Sequence, residues 1–93
     1  MYDSILQRLQ ECIRTRQYVM TLHAEEEMND DNLSIFDVER GVLTGLIIER
    51  QKDRDTEEWK YLIEGRTLTG ERVVIVAKLS RTGKLVMITV YLV

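Results

Sequence analysis

Residues 72–93 read RVVIVAKLSRTGKLVMITVYLV, and this stretch decides the class of fold. Two runs rich in β-branched residues flank a polar segment that contains Thr82-Gly83, a dipeptide typical of turns. Such a pattern is typical of two antiparallel strands joined by a short turn. The stretch therefore predicts neighbouring strands over residues 72–80 and 85–93.

Two further strands are predicted upstream of this hairpin. The run Leu46-Ile47-Ile48 begins a strand over residues 46–51, and a second strand covers residues 59–68. The charged residues between them are expected to form an exposed hairpin loop. Because consecutive strands joined by short turns favour a meander, we predict a four-stranded antiparallel sheet.

Side chains in the last predicted strand must alternate between the two faces of the sheet. One set is purely aliphatic and is predicted to face the helices: Val86, Ile88, Val90 and Leu92. The other set ends in polar or amphipathic groups and is predicted to face outward or into a shallow groove: Leu85, Met87, Thr89 and Tyr91.

In the first half of the chain, apolar residues recur at the spacing of a helix, whereas in the second half they follow the pattern of strands. Helices are predicted over residues 4–15, 23–30 and 35–44. The third has a capping pattern at Ser34 and Asp37. Residues 17–22 could form a brief strand or an extended connector. The chain is therefore predicted to be a single α+β domain over residues 1–93, with helices packed on the sheet.

The charge balance weighs against a general nucleic-acid binder. Sixteen acidic and thirteen basic residues give a net charge of −3, whereas such binders usually carry a basic excess or a basic face. The last third of the chain nevertheless has more basic than acidic residues. The basic side chains there are Arg66, Arg72, Lys78, Arg81 and Lys84. A local basic patch on the sheet is therefore still compatible with the composition.

The cysteine and histidine counts limit the chemistry. Cys12 is the only cysteine, so no internal disulfide can form, and this fits a reducing cytoplasm. No apolar run approaches the ~20 residues needed to span a bilayer, so we expect a cytoplasmic protein with no membrane partner. One histidine with carboxylates is a poor zinc set, and we predict neither a metal nor a cofactor.

His23 is the best single candidate for chemistry, because histidine titrates near neutral pH. Glu26 and Glu27 follow it at i+3 and i+4, so both can lie beside its ring on a helix. That arrangement suits general acid–base catalysis. The alternative is that His23 caps or packs the start of a helix whose acidic residues are solvated.

The outward sheet faces supply a second group of candidates. These residues are Tyr61, Arg66, Lys78, Thr89 and Tyr91. Tyrosine and arginine on a sheet face can stack on bases and bind phosphate. The same residue types are also common on any half-exposed sheet, so both interpretations stay open.

Four segments of the sequence resemble a known family when taken together and in order. They are YVMTLHAEEEM, LSIFDVERGVLTGLIIE, WKYLIEGRTLTGERVVIVAKL and KLVMITVYLV. The most specific parts are His23-Ala24, Asp37-Val38, residues 61–65 and residues 88–91. Over about residues 18–93 the chain resembles the bacterial domain-of-unknown-function family 4258.

The resemblance implies a RelE/ParE-like toxin fold and the toxin-like component of a toxin–antitoxin pair. It implies a metal-independent mRNA endonuclease that acts on free or ribosome-bound RNA. The expected partners are an antitoxin protein and RNA or the ribosome, and a homo-oligomer is left open. The alternative is a non-catalytic protein-interaction module with the same fold, whose acidic helix around Glu25–Asp31 meets a basic partner.

The resemblance also implies roles for individual residues. His23 would be the acid–base group beside Glu27, and Tyr91 would stack on a base or donate a proton. Lys78 or Arg66 would stabilise phosphate charge. The remaining substrate contacts would come from Arg66, Tyr61, Thr89 and Arg81. Relatives often have arginines in the helix that follows the His-Ala opening, where this sequence has Glu27 and Asp31.

Overall fold

The structure is a computed structural model that describes residues 2–93. Its three helices are α1 (Asp3–Arg14), α2 (Leu22–Asp30) and α3 (Ile35–Leu43). Its strands are β1 (Tyr18–Met20), β2 (Leu46–Lys52), β3 (Trp59–Arg66), β4 (Arg72–Leu79) and β5 (Leu85–Leu92). The predicted α+β class is confirmed. No helix within residues 2–93 is long and apolar enough to cross a membrane.

The sheet has five strands in the order β1-β5-β4-β3-β2. The four longer strands pair antiparallel as a meander, as predicted. The prediction of a wholly antiparallel four-stranded sheet is wrong, because β1 adds to the edge of β5 in parallel. β1 has only three residues, which is too short for any alternation of side chains to reveal a strand. Its partner lies at the other end of the chain, so no turn signal links the two.

All three helices contribute side chains to one core on one face of the sheet. Leu9, Val38 and Val42 from the helices pack with Ile63 and Ile75 from the sheet, and all five are fully buried. Helix α3 lies close to the sheet. A Cβ atom added at Gly41 would lie 2.7 Å from Val73 Cγ1, so glycine is required for this approach.

Strand β5 contains a β-bulge that reverses the predicted assignment of its side chains. Val76 pairs with Thr89, but the next residue, Ala77, pairs with Met87, so Ile88 is an extra residue. Before the bulge, Leu85 and Met87 are the fully buried residues. The prediction that Val86 and Ile88 face the helices is therefore wrong. After the bulge the prediction is confirmed, since Val90 is buried in the core and Leu92 packs against it.

The start of α3 follows the predicted capping box. The Ser34 hydroxyl accepts the Asp37 N–H at 3.2 Å, and Asp37 Oδ2 accepts the Ser34 N–H at 3.0 Å. The other oxygen, Asp37 Oδ1, accepts the N–H of Leu68 at 3.0 Å. These hydrogen bonds, led by the one from Ser34, lower the pKa of Asp37. Asp37 thus ties α3 to the turn after β3, and that strand ends at Arg66 rather than at the predicted residue 68.

Candidate functional site

His23 and Glu27 form a pair on α2, as the i, i+4 spacing predicted. His23 Nε2 lies 3.2 Å from Glu27 Oε1, and the histidine side chain is 65% exposed. The same glutamate oxygen accepts the N–H of Val90 at 3.1 Å. An exposed imidazole in contact with a carboxylate has the geometry needed for proton transfer to or from a bound molecule.

The pair also has a structural role at the edge of β5. Strand β1 ends at Met20, so the bulged part of β5 beyond it has no neighbouring strand on that side. Thr21 Oγ1 donates to Ile88 O at 3.0 Å, and Glu27 accepts from Val90. Because buried or half-buried backbone groups need partners, these two side chains replace the missing strand. The hydrogen bond to Val90 therefore accounts for a glutamate at position 27 without any catalytic role.

Lys78 forms an ion pair on the face of the sheet that the helices do not cover. Its Nζ is 3.3 Å from Glu58 Oε1, and Lys60 Nζ is 3.8 Å from Asp53 Oδ2 nearby. Backbone hydrogen bonds from Asp55 and Thr56 lower the pKa of Asp53, with Lys60 and Lys78 adding to the effect. Both lysines are thus balanced by carboxylates of this chain.

The structure does not bring Lys78, Tyr91 and Arg66 together. On β4, Lys78 pairs with Val86 while Tyr91 pairs with Val74, so the two side chains are four residues apart along the sheet, or about 13 Å. Arg66 pairs with Arg72, at the far end from Lys78, and donates to Gly70 O at 3.1 Å. These three side chains cannot act on one phosphate.

Three other predicted site residues lie in separate places. Tyr61 is on the helix-covered face, where it packs against the core and lines a groove with Trp59 and Arg8. Thr89 lies on the opposite face beside Val76. Arg81 is an exposed residue of the turn between β4 and β5. The predicted site residues therefore do not form one cluster.

The face of the sheet that the helices do not cover is the largest feature that sequence reasoning missed. We call it the open face; its centre is formed by Leu62, Val74, Val76, Val86, Thr89 and Tyr91. None of these six side chains belongs to the core cluster on the helix-covered face, and all except Val74, which is only 2% exposed, are at least partly exposed. The alternation in β4 could have indicated part of this face, because Val74 and Val76 lie between the core positions and are also apolar. On β3 only Leu62 gives this signal, since its neighbours on the same face are Lys60 and Glu64.

The remaining features are smaller. Arg50 stacks on the ring of Trp59 with its Cζ atom 4.0 Å from the ring centre. A cleft of about 360 Å³ lies between β1, α2 and the start of α3, with Met20, Met28 and Ile35 as its apolar lining and Glu25 and Asn29 as its polar lining. Within residues 2–93, no three His, Cys, Asp or Glu side chains are grouped to hold a metal ion.

Three helices on one face of a mixed five-stranded sheet, with a histidine–glutamate pair at the sheet edge, define a small α+β domain. Residues 20–92 match the model of the family described as Domain of unknown function (DUF4258). The chain therefore belongs to this family, and the resemblance seen in the sequence is confirmed. No curated protein and no solved structure matches the chain.

Proposed function

We propose that this protein is the toxin-like component of a bacterial toxin–antitoxin pair, with a RelE/ParE-like fold, and that it binds the protein product of the adjacent gene through the open face. The family resemblance supports the toxin–antitoxin setting. The single observation that carries the binding role is the uncovered apolar centre of the sheet.

The open face has the composition of a protein interface. Leu62, Val76 and Val86 are only half-buried there, although each has strand neighbours on both sides. At its margins, Val19 is 46% exposed and Leu46 is 69% exposed. Partly exposed apolar side chains at the centre of a sheet face, with further exposed apolar residues at its margins, are typical of a protein-binding surface.

The charges on the open face favour a protein over RNA. Its lysines, Lys60 and Lys78, contact Asp53 and Glu58, and Arg72 Nη2 lies 2.8 Å from Glu64 Oε1. Affinity for nucleic acid comes mainly from cations that are available to phosphates. At these three cations a phosphate would have to compete with carboxylates already in place, whereas an apolar partner surface would leave these pairs intact at its rim.

A second candidate function, a metal-independent RNA endonuclease, is favoured by the His23–Glu27 pair alone. Glu27 would take the proton from a ribose 2′-hydroxyl as this oxygen attacks the phosphorus, and His23 would protonate the departing 5′-oxygen. The developing phosphorane charge needs a cation, and the candidates for that role, Lys78 and Arg66, lie elsewhere on the sheet. The protein-binding function is therefore the better supported of the two.

Growth and RNA assays separate the two functions. Overexpression in a bacterial host should arrest growth, and co-expression of the protein encoded by the adjacent gene should relieve the arrest. His23→Ala, and Glu26→Gln as its exposed neighbouring control, should still arrest growth, with cellular RNA uncut. Arrest that is lost only in His23→Ala, with RNA cut by the wild type, would establish the endonuclease instead. A harmless wild-type protein would contradict both functions.

A further inference from the structure

The outer edge of β1 is free to pair with another strand. Leu85 donates its N–H to Gln17 O at 3.0 Å, and Thr21 donates to Met87 O at 3.0 Å, so odd-numbered residues of this segment point their backbone groups toward β5. The N–H and C=O groups of Tyr18 and Met20 must therefore point away from the sheet. Within residues 2–93, no segment hydrogen-bonds to these four groups.

The two edges of the sheet are protected to different degrees. The other edge strand, β2, contains a β-bulge near Ile48 and three charged residues, which are common devices against edge-to-edge pairing. Strand β1 reads YVM and has neither a charge nor a bulge; only its shortness limits pairing. It is also held in place, because the phenol of Tyr18 donates to Glu39 of α3.

We propose that β1 pairs with β1 of a second copy of this chain, antiparallel about a two-fold axis at Val19. In this register Tyr18 lies opposite Met20 of the partner subunit, and the two residues exchange both backbone hydrogen bonds. The symmetry repeats the exchange, so all four unpaired groups of each β1 are satisfied. The two Val19 side chains face each other across the axis, and the two sheets become one continuous sheet.

The charges on either side of β1 favour this antiparallel register. Arg14 and Arg16 precede the strand, and the acidic first turns of α2 follow it. The register places Arg16 opposite the start of α2 of the second copy. Glu25 lies close to this edge, since it lines the same cleft as Met20. Each interface would therefore contain two pairs of opposite charge, which steer association and fix the register. Val19 also lies at the margin of the open face, but the backbone groups that pair here belong to the edge of the sheet, and the inference does not rest on the toxin function.

Light scattering after size exclusion, over a series of concentrations, tests the pairing. The wild type should reach twice its chain mass of 10.9 kDa. Val19→Lys would place two ammonium groups opposite each other, and should raise the dissociation constant at least about tenfold. Ile48→Lys on β2 is the matched control, because Ile48 is 54% exposed and Val19 is 46% exposed, and it should leave the constant unchanged.

A charge exchange tests the register without disturbing the strand. Arg16→Glu and Glu25→Lys should each weaken the dimer, and the double variant should restore it, because each interface then contains the same pairs reversed. Circular dichroism of each variant would confirm that it is folded. A wild type that is monomeric throughout, dissociation by Ile48→Lys but not by Val19→Lys, or a double variant weaker than both single variants would overturn the proposal.

Discussion

The two faces of the sheet carry apolar side chains of similar size, but the helices cover only one of them. On β3, Ile63 faces the helices and is fully buried, whereas its neighbour Leu62 faces the other way and is half-buried. The covered face holds the core. The centre of the open face is apolar although no helix covers it, and this difference supports the proposed partner protein.

The largest expected effect is a difference in the free energy of unfolding between variants of these two neighbours. Ile63→Ala leaves a cavity in the core and should lower the free energy of unfolding by about 2–5 kcal/mol. Leu62→Ala removes a side chain with no helix above it, and should cost less than half as much. Urea denaturation of both variants gives the comparison directly. Equal losses would mean that the open face supports the fold as much as the covered face does.

A smaller effect is expected where α3 is anchored to the covered face. Asp37→Asn weakens the capping box and should cost about 1 kcal/mol. The pKa of Asp37 is lowered in the folded protein, mainly by the hydrogen bond from Ser34. Its stabilisation is therefore present above its unfolded pKa and is lost as the pH falls through the folded pKa.

The pH dependence of unfolding checks this assignment. The wild type should lose stability as acid protonates Asp37, and Asp37→Asn should lose correspondingly less over the same acid range. Ser34→Ala is the matched control, because it removes the hydroxyl partner and leaves the carboxyl group. Acid sensitivity that is identical in the wild type and Asp37→Asn would contradict the anchoring role of this carboxylate.

A third prediction concerns Tyr18 in the edge strand β1. Burial, and then the hydrogen bond to Glu39, raise the pKa of Tyr18 to about 12. Because the unfolded phenol loses its proton near pH 10, the stabilisation is complete below that pH and falls as the pH rises toward 12. Tyr18→Phe should remove this alkaline loss. Unfolding measured from pH 8 to 11 would contradict the assignment if both proteins declined equally.

The smallest effect is expected from the ion pairs of the open face. The Arg72 and Glu64 side chains are 48% and 31% exposed, so Glu64→Gln should change the free energy of unfolding by less than about 1 kcal/mol. The same change releases Arg72 from its carboxylate and should increase weak, salt-sensitive binding of a single-stranded RNA. Filter binding at two salt concentrations measures this. RNA binding that does not change would weaken the claim that these pairs exclude phosphate.

The parts of the fold that could be predicted are those with local signals. The turns at Thr69-Gly70 and Thr82-Gly83 indicate the meander, and both glycines have the positive φ angles that such turns require. The capping residues Ser34 and Asp37 indicate α3. Strand β1 and the bulge at Ile88 have no local signal, because each is defined by backbone pairing with a distant segment.

The geometry of the candidate site could also be predicted only in part. The contact between His23 and Glu27 follows from helical spacing within a single element. The separation of Lys78, Tyr91 and Arg66 could not be predicted, because it depends on where each residue falls along strands whose register is set by the whole sheet. Residues that share a face can therefore still be too far apart to share a substrate.

The most direct test of the protein-binding function is calorimetric titration of the adjacent gene's product into this protein. Val76→Lys places an ammonium group at the centre of the open face and should weaken binding at least about tenfold, because an unpaired charge would be buried. Leu22→Lys is the matched control on α2, where Leu22 is 71% exposed, and it should bind like the wild type. Binding that survives Val76→Lys but is lost in Leu22→Lys would contradict the assignment of the open face.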